Sequence, residues 1–270
     1  MKEFTMPEPA ASFDEIRAVA DSLPGGGVAA PGPIAHPRIV LFAATHGIAA
    51  DLPGGGSAAM TELVDGMVGG HGPLHDLAEQ ADADLKLYDL ALDRPTRDSR
   101  QAQAVREFEA SRAAAYGMMA VEPGIDIFVA SALGAGADLA ATALILALFP
   151  DIPPAGAHAA LIAPALARHG ELDDPLELMA ALGGPDIAAI LGVILATGLA
   201  GIPVILDGLA AYAAAAVATR LRPEALGHCR LATGAVGGFT VQRLGMGAVL
   251  PGGSDSPLSG ALALIAMTGR

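Results

Sequence analysis

Ile187–Leu206 is a run of twenty residues without a charged side chain, flanked by Asp186 and Asp207. A run of this kind has to be buried, either in protein or in lipid. Gly198, Gly201 and Pro203 cut it into two pieces, and its flanks are aspartates where a membrane anchor would carry Lys or Arg. It therefore reads as a buried helix over Ile187–Ala200 followed by a strand over Ile202–Leu206. Asp207-Gly208 ends the strand and a long alanine-rich helix follows. Upstream, Leu176, Met179, Ala180 and Leu182 form a short apolar helical face. Gly183-Gly184 breaks that helix and lets backbone approach backbone. A buried strand that ends in a polar residue and a glycine and leads into a helix is where open α/β sheets place ligands.

The rest of the chain alternates in the same way. Arg38–Ala44, Asp84–Leu90 and Ile125–Ala130 read as strands. Helices are expected around Ser12–Leu23, where Ser12 and Glu15 have capping-box spacing, and over Thr61–Gln80, Arg97–Gly117 and Asp138–Phe149. Apolar strands alternating with helices predict a three-layer, Rossmann-like α/β fold with a mainly parallel sheet and a small helical lobe. Residues 1–37 read as the N-terminal helix and linker of that lobe, and residues 38–270 as the α/β domain.

Hydrophobic residues make up 53% of the chain and aromatics only 4%, so the core is built from Ala, Leu, Ile and Val. Its stability rests on extent of packing rather than on large anchors. The net charge of −14, with Lys2 and Lys86 the only lysines, argues against a nucleic-acid partner and against anionic membrane. Cys229 is the single cysteine, in a segment that reads as a buried strand, which suits a reducing compartment. No apolar leader is visible in MKEFTMPEPAASFDEIR, and a cytoplasmic location is expected.

DPLE, AALGG, DIAAILG and PVILDG, in this order and spacing between Asp174 and Gly208, resemble nicotinate-nucleotide–dimethylbenzimidazole phosphoribosyltransferases. Ile39–Ala50, IVLFAATHGIAA, is similar to that family's first strand and Asp-His-Gly turn, with Thr45 in the aspartate's place. Ile125–Leu148 gives a further strand, glycine turn and helix. The resemblance implies transfer of phosphoribosyl from nicotinate mononucleotide to an aromatic base, forming the lower-ligand nucleotide of cobalamin. It implies a dimer; no cofactor and no metal are expected. Carried onto this chain, the ligand-binding positions are His46, Gly134, Gly136, Gly183, Gly184, Asp207, Ser259 and Gly260.

The departures fall on the segments that should carry chemistry. The family's Gly-Glu-Met-Gly-Ile-Gly-Asn-Thr-Thr corresponds here to SALGAGADL, in which Ala132 replaces the glutamate and Ala137 the asparagine. The phosphate-binding segment should lie between Pro153 and Asp174, which contains no lysine. The family's Ser-Ala-Glu-Pro-Gly-His-Arg maps near Ala232–Gly238, ATGAVGG, and its catalytic glutamate near Pro257; no glutamate follows Glu224. The family reaction needs a carboxylate base for the attacking azole and a cation beside helix N-terminal amides for the phosphate. Asp255 is the candidate carboxylate. The expectation is a weakened phosphoribosyltransferase. The alternative is a non-catalytic relative, a nucleotide-binding, regulatory or heterodimer subunit that keeps the fold.

Other polar groups carry weaker signals. His71, His75 and Asp76 lack the glutamate of a zinc helix, and Gly134-x-Gly136 lacks the third glycine of a dinucleotide turn. The small-residue faces of Ala188–Ala200 and Leu209–Ala218 exceed what one domain is expected to cover. That predicts a homodimer or a heterodimer with a paralogue.

Overall fold

The computed structural model describes residues 12–25, 32–52, 64, 66, 69–154, 158–253 and 258–269. Strand β1 (Pro37–Ala44) is buried along its whole length. Its side chains alternate: Ile39 and Leu41 enter one hydrophobic layer, Val40 and Phe42 the other. The same alternation holds in β3 (Ile127–Leu133) and β4 (Val204–Asp207). With β2 (Asp84–Ala91) and β5 (Cys229–Val236) they form a parallel sheet in the order β2-β1-β3-β4-β5. The short β6 (Phe239–Thr240) pairs antiparallel with β5, and β7 (Gly247–Gly253) pairs parallel with it.

Helices cover both faces. On one lie α2 (Pro73–Ala81) and α9 (Ser259–Thr268). The other carries α1 (Phe13–Asp21), α3 (Glu107–Met119), α4 (Ala137–Leu148), α5 (Ala159–His169), α6 (Pro175–Leu182), α7 (Pro185–Ala200) and α8 (Gly208–Leu221). The expected three-layer α/β fold is what the chain adopts. The chain steps from β1 outward to β2, then recrosses to β3 on β1's other side. The strand order therefore reverses between β1 and β3, which opens a crevice at their carboxyl ends.

The uncharged run folds as its glycines and proline indicate: α7, a left-handed cap at Gly201 (φ +69°), then β4. Helices α3 and α7 pack backbone to backbone. A Cβ on Gly117 would overlap the Ala189 carbonyl, and one on Gly192 the Ala114 carbonyl. Pairs of small residues thus replace large anchors. They also bury the faces from which association was argued: the α7 side chains through Gly198 and α8 over Leu209–Ala218 are covered within one chain.

Two expectations shift. The charged helix begins at Glu107 rather than Arg97. Asp98 instead turns the chain by accepting from the Arg100 amide at 2.9 Å, and Ala104 and Val105 donate to the carbonyls of Ala181 and Ala180. β3 starts at Ile127 rather than Ile125, because Asp126 Oδ2 accepts the amides of Ala35 and His36 and holds a turn after Gly124 (φ +93°). At the N-terminus, Ser12 and Glu15 form the expected capping box, and Phe13, Ile16, Ala20 and Leu23 enter the core of the large α/β unit.

Candidate functional site

His46 follows β1 and its amide donates to the Ala135 carbonyl at 2.9 Å, tying the turn after β1 to the turn after β3. Its ring Nε2 lies 3.0 Å from Asp186 Oδ2, with both side chains essentially inaccessible. Asp186 is in the first turn of α7, so the pair pins that helix to the end of β1. His46 Nδ1 and Asp186 Oδ1 have no hydrogen-bond partner among the described residues. Both face Gly184: a Cβ there would overlap His46 Cε1 and come within 2.9 Å of Asp186 Oδ1 and of His46 Nδ1. Two further glycines close the crevice. A Cβ on Gly134 would overlap the Ala44 carbonyl oxygen. Gly136 caps α4 at φ +81°, where a Cβ would lie 2.7 Å from Ala49 Cβ and 3.1 Å from His46 Cβ. His46, Gly134, Gly136 and Gly184 therefore meet at the reversal point, where the N-terminal amides of α4 begin. The N-terminal amides of a helix attract negative charge.

A second cluster sits at the end of β4. Asp207 makes no side-chain cap on α8, the helix that follows it in sequence. Its Oδ2 instead accepts the Gly260 amide at 2.8 Å, in the first turn of α9. Gly260 has no room for a side chain, since a Cβ would lie 2.9 Å from Asp207 Cβ. Ser259, buried, starts the same helix. Asp207 is 3% exposed. Burial pushes its pKa from 3.8 up to about 6, opposed by the Gly260 amide. Its Oδ1 accepts no hydrogen bond among the described residues. Asp207 pairs in register with Ser131 of β3, and β3 adjoins β1. Through Ser131 the register sets Asp207 opposite Leu41 of β1, five residues before His46, and the Asp207 carboxylate faces α9, in the layer opposite α4 and α7.

Other expected positions lie elsewhere. Gly183 ends α6, and a Cβ there would meet the Met179 carbonyl at 2.7 Å and Leu144 at 3.4 Å, so it serves helix packing. Asp255 and Pro257 lie outside the described residues. Much of the expected phosphate segment is α5, a helix the sequence reading did not foresee. Asp186 was also missed as a site residue: it read as a flanking charge, and its partner is 140 positions away. Among the described residues no three His, Cys, Asp or Glu side chains gather as a metal group, and no helix is long and apolar enough to cross a membrane. Cys229 is buried, and burial pushes its thiol pKa up.

The profile of a family described as Phosphoribosyltransferase matches residues 4–238. The chain belongs to that family. A nicotinate-nucleotide–dimethylbenzimidazole phosphoribosyltransferase of Brucella anthropi is 32% identical over 243 residues, covering 84% of this chain and 72% of the relative. The enzyme of the same name from Rhizobium etli is 34% identical over 214 residues, 74% of this chain and 63% of its own. Among solved structures, CobT of Thermus thermophilus superposes with a TM-score of 0.77 at 23% identity, covering 98% of this chain and 91% of that one. A second Thermus thermophilus structure, of a phosphoribosyltransferase of that long name, gives 0.77 at 22% identity over 95% and 93%. Both share the fold described above.

Proposed function

We propose that the chain transfers phosphoribosyl from nicotinate mononucleotide to an aromatic azole, slowly, with Asp207 as the base. Asp207 carries this reading. It is a buried carboxylate at the carboxyl end of β4 with a pKa of about 6 and one oxygen that accepts no hydrogen bond among the described residues. A general base works best when its pKa lies near the working pH. In the step proposed, one azole nitrogen attacks C1′ of the ribose and the C1′–nitrogen bond to nicotinate breaks. Nicotinate leaves with the electron pair, and the proton on the azole's second nitrogen passes to Asp207.

The phosphate is assigned to the α4 amides beside Gly136, with the Gly134 turn alongside. His46 and Asp186 act as positioning residues that hold α7 and Gly184 against this turn. The slow rate proposed rests on three departures together: Ala132, the absence of lysine between Pro153 and Asp174, and the absence of glutamate after Glu224. A displaced or weakened general base alone costs about 10²–10⁴ in rate.

A second reading, a nucleotide-binding subunit without turnover, is favoured by the replacement of polar positions by alanine at Ala132 and Ala137. In that reading the isolated chain, alone or as a homodimer, only binds the nucleotide, and pairing with a complete paralogue supplies the base. The exposed stripe of Phe108, Tyr116 and Met119 on α3 is the surface that suits such a contact. Product mass after incubation with nicotinate mononucleotide and dimethylbenzimidazole, beside calorimetry with the nucleotide alone, separates the two. Ribazole phosphate supports the first, and binding without product supports the second.

A further inference from the structure

A cavity of about 220 Å³ opens beside the carboxyl end of β2, lined by Arg94, Thr96, Arg97, Arg112, Tyr116 and Pro185 among others. It flanks the His46 turn on its outer side. The Gly47 amide donates to Thr96 Oγ1 at 3.1 Å, and Pro185 precedes Asp186 in α7. The chain has 15 basic residues against 29 acidic ones, so three arginines around one small cavity reverse the local charge.

The arginines of the chain fall into two groups, those bonded closely to a carboxylate and those, such as Arg168, Arg222 and Arg230, that donate to backbone carbonyls. Arg17, Arg38, Arg100 and Arg106 each donate to a carboxylate at 3.0 Å or less. None of the three at the cavity makes such a bond among the described residues. Arg97 gives its Nε to the Gln103 carbonyl at 2.8 Å and comes no closer than 3.9 Å to Glu109. Arg94 stands 3.6 Å from Asp93 on the open surface. Arg112 has no carboxylate partner among the described residues, and its guanidinium lies 5.5 Å from the centre of the Phe108 ring. Glu109, the acid in the lining, is engaged by Arg106 at 2.7 Å, and that hydrogen bond holds its pKa below the ordinary value. The remaining wall is apolar, with Val105, Ala113 and Pro185 beside the Tyr116 ring.

Guanidinium groups without a close carboxylate bond among the described residues suit a planar, bidentate anion, and the apolar wall suits a flat ring. The volume is below the roughly 300–1,000 Å³ of sites for larger ligands, which points to one ring rather than a nucleotide. We propose that this cavity binds a small aromatic carboxylate, its carboxylate held by Arg97 and Arg112 and its ring against Pro185 and Val105. The assignment does not depend on the transfer reaction.

Titration of the full chain with benzoate, benzamide and inorganic phosphate, followed by amide shifts in nuclear magnetic resonance, tests it. Benzoate should shift amides of residues 94–97 and 104–116 saturably, and bind about tenfold or more tighter than benzamide. The Arg97→Ala/Arg112→Ala double variant should lose about tenfold or more in benzoate affinity, with an unchanged thermal melt because both side chains are exposed. Benzamide binding equally well would overturn the carboxylate assignment. Phosphate binding as tightly as benzoate would overturn the ring, leaving an anion site only. Shifts confined to the crevice at His46 and Gly134–Gly136, or no saturable binding, would overturn the cavity itself.

Discussion

Replacing Asp207 with asparagine should make the protein more stable at alkaline pH and leave it nearly unchanged in acid. The side chain is 3% exposed, and burial lifts its pKa from 3.8 to about 6 against the opposing bond from the Gly260 amide. In the unfolded chain the group returns to its ordinary value. The folded state therefore holds this proton more tightly than the unfolded state does. Ionisation costs no stability below the lower pKa. The cost grows as pH rises between the two values and is constant above about 6. A shift of about 2 units at about 1.4 kcal/mol each gives a cost of about 3 kcal/mol at full ionisation. Asparagine keeps an oxygen for the Gly260 amide and cannot ionise. Denaturant unfolding of wild type and Asp207→Asn at about pH 4 and about pH 8 reads the difference. The variant should gain up to about 3 kcal/mol relative to wild type between the two conditions. An equal difference at both would refute the burial argument. A variant less stable than wild type at the higher pH would show that the charged hydrogen bond outweighs desolvation. A carboxylate kept where it destabilises the fold is the pattern expected of a working group.

Three further substitutions probe the frame around it. Gly192→Ala places a Cβ against the Ala114 carbonyl and 3.0 Å from the Met118 amide nitrogen; it should cost about 2 kcal/mol or more despite better helix propensity, measured by urea unfolding. Asp186→Ala leaves His46 Nε2 buried without a partner and should cost about 1–3 kcal/mol. A double-mutant cycle with His46→Ala should show coupling of similar size, and strict additivity would mean the pair does not interact in solution. Gly134→Ala drives a methyl into the Ala44 carbonyl and should lower both the thermal midpoint and nucleotide affinity in calorimetry; unchanged affinity in a folded variant would remove this turn from the phosphate site.

The layers of this fold are legible in the sequence because local signals and burial agree. Gly201 and Pro203 mark the break between α7 and β4, and the apolar alternation of β1 marks a strand covered on both faces. The start of α3 is not legible. Arg97–Arg106 has helical composition, yet Asp98 and two backbone bonds to α6 hold it as a loop. The pairing of Asp207 with Gly260 spans 53 positions and that of His46 with Asp186 spans 140, and no local pattern encodes either. The small-residue faces of α7 and α8 gave the same signal whether covered by a partner or by the chain itself. Gly117 and Gly192 let α3 approach closely enough to do the covering.

Asp207 is proposed to take a proton during phosphoribosyl transfer. The most direct test is the formation of ribazole phosphate, by mass, from nicotinate mononucleotide and dimethylbenzimidazole across a range of pH, with wild type and Asp207→Asn compared. Product should form slowly, at a rate that rises with pH through about 6, and should be lost in the variant while nucleotide binding persists. Product formed equally fast by the variant, or none from a wild-type chain that binds the nucleotide, would contradict this proposal.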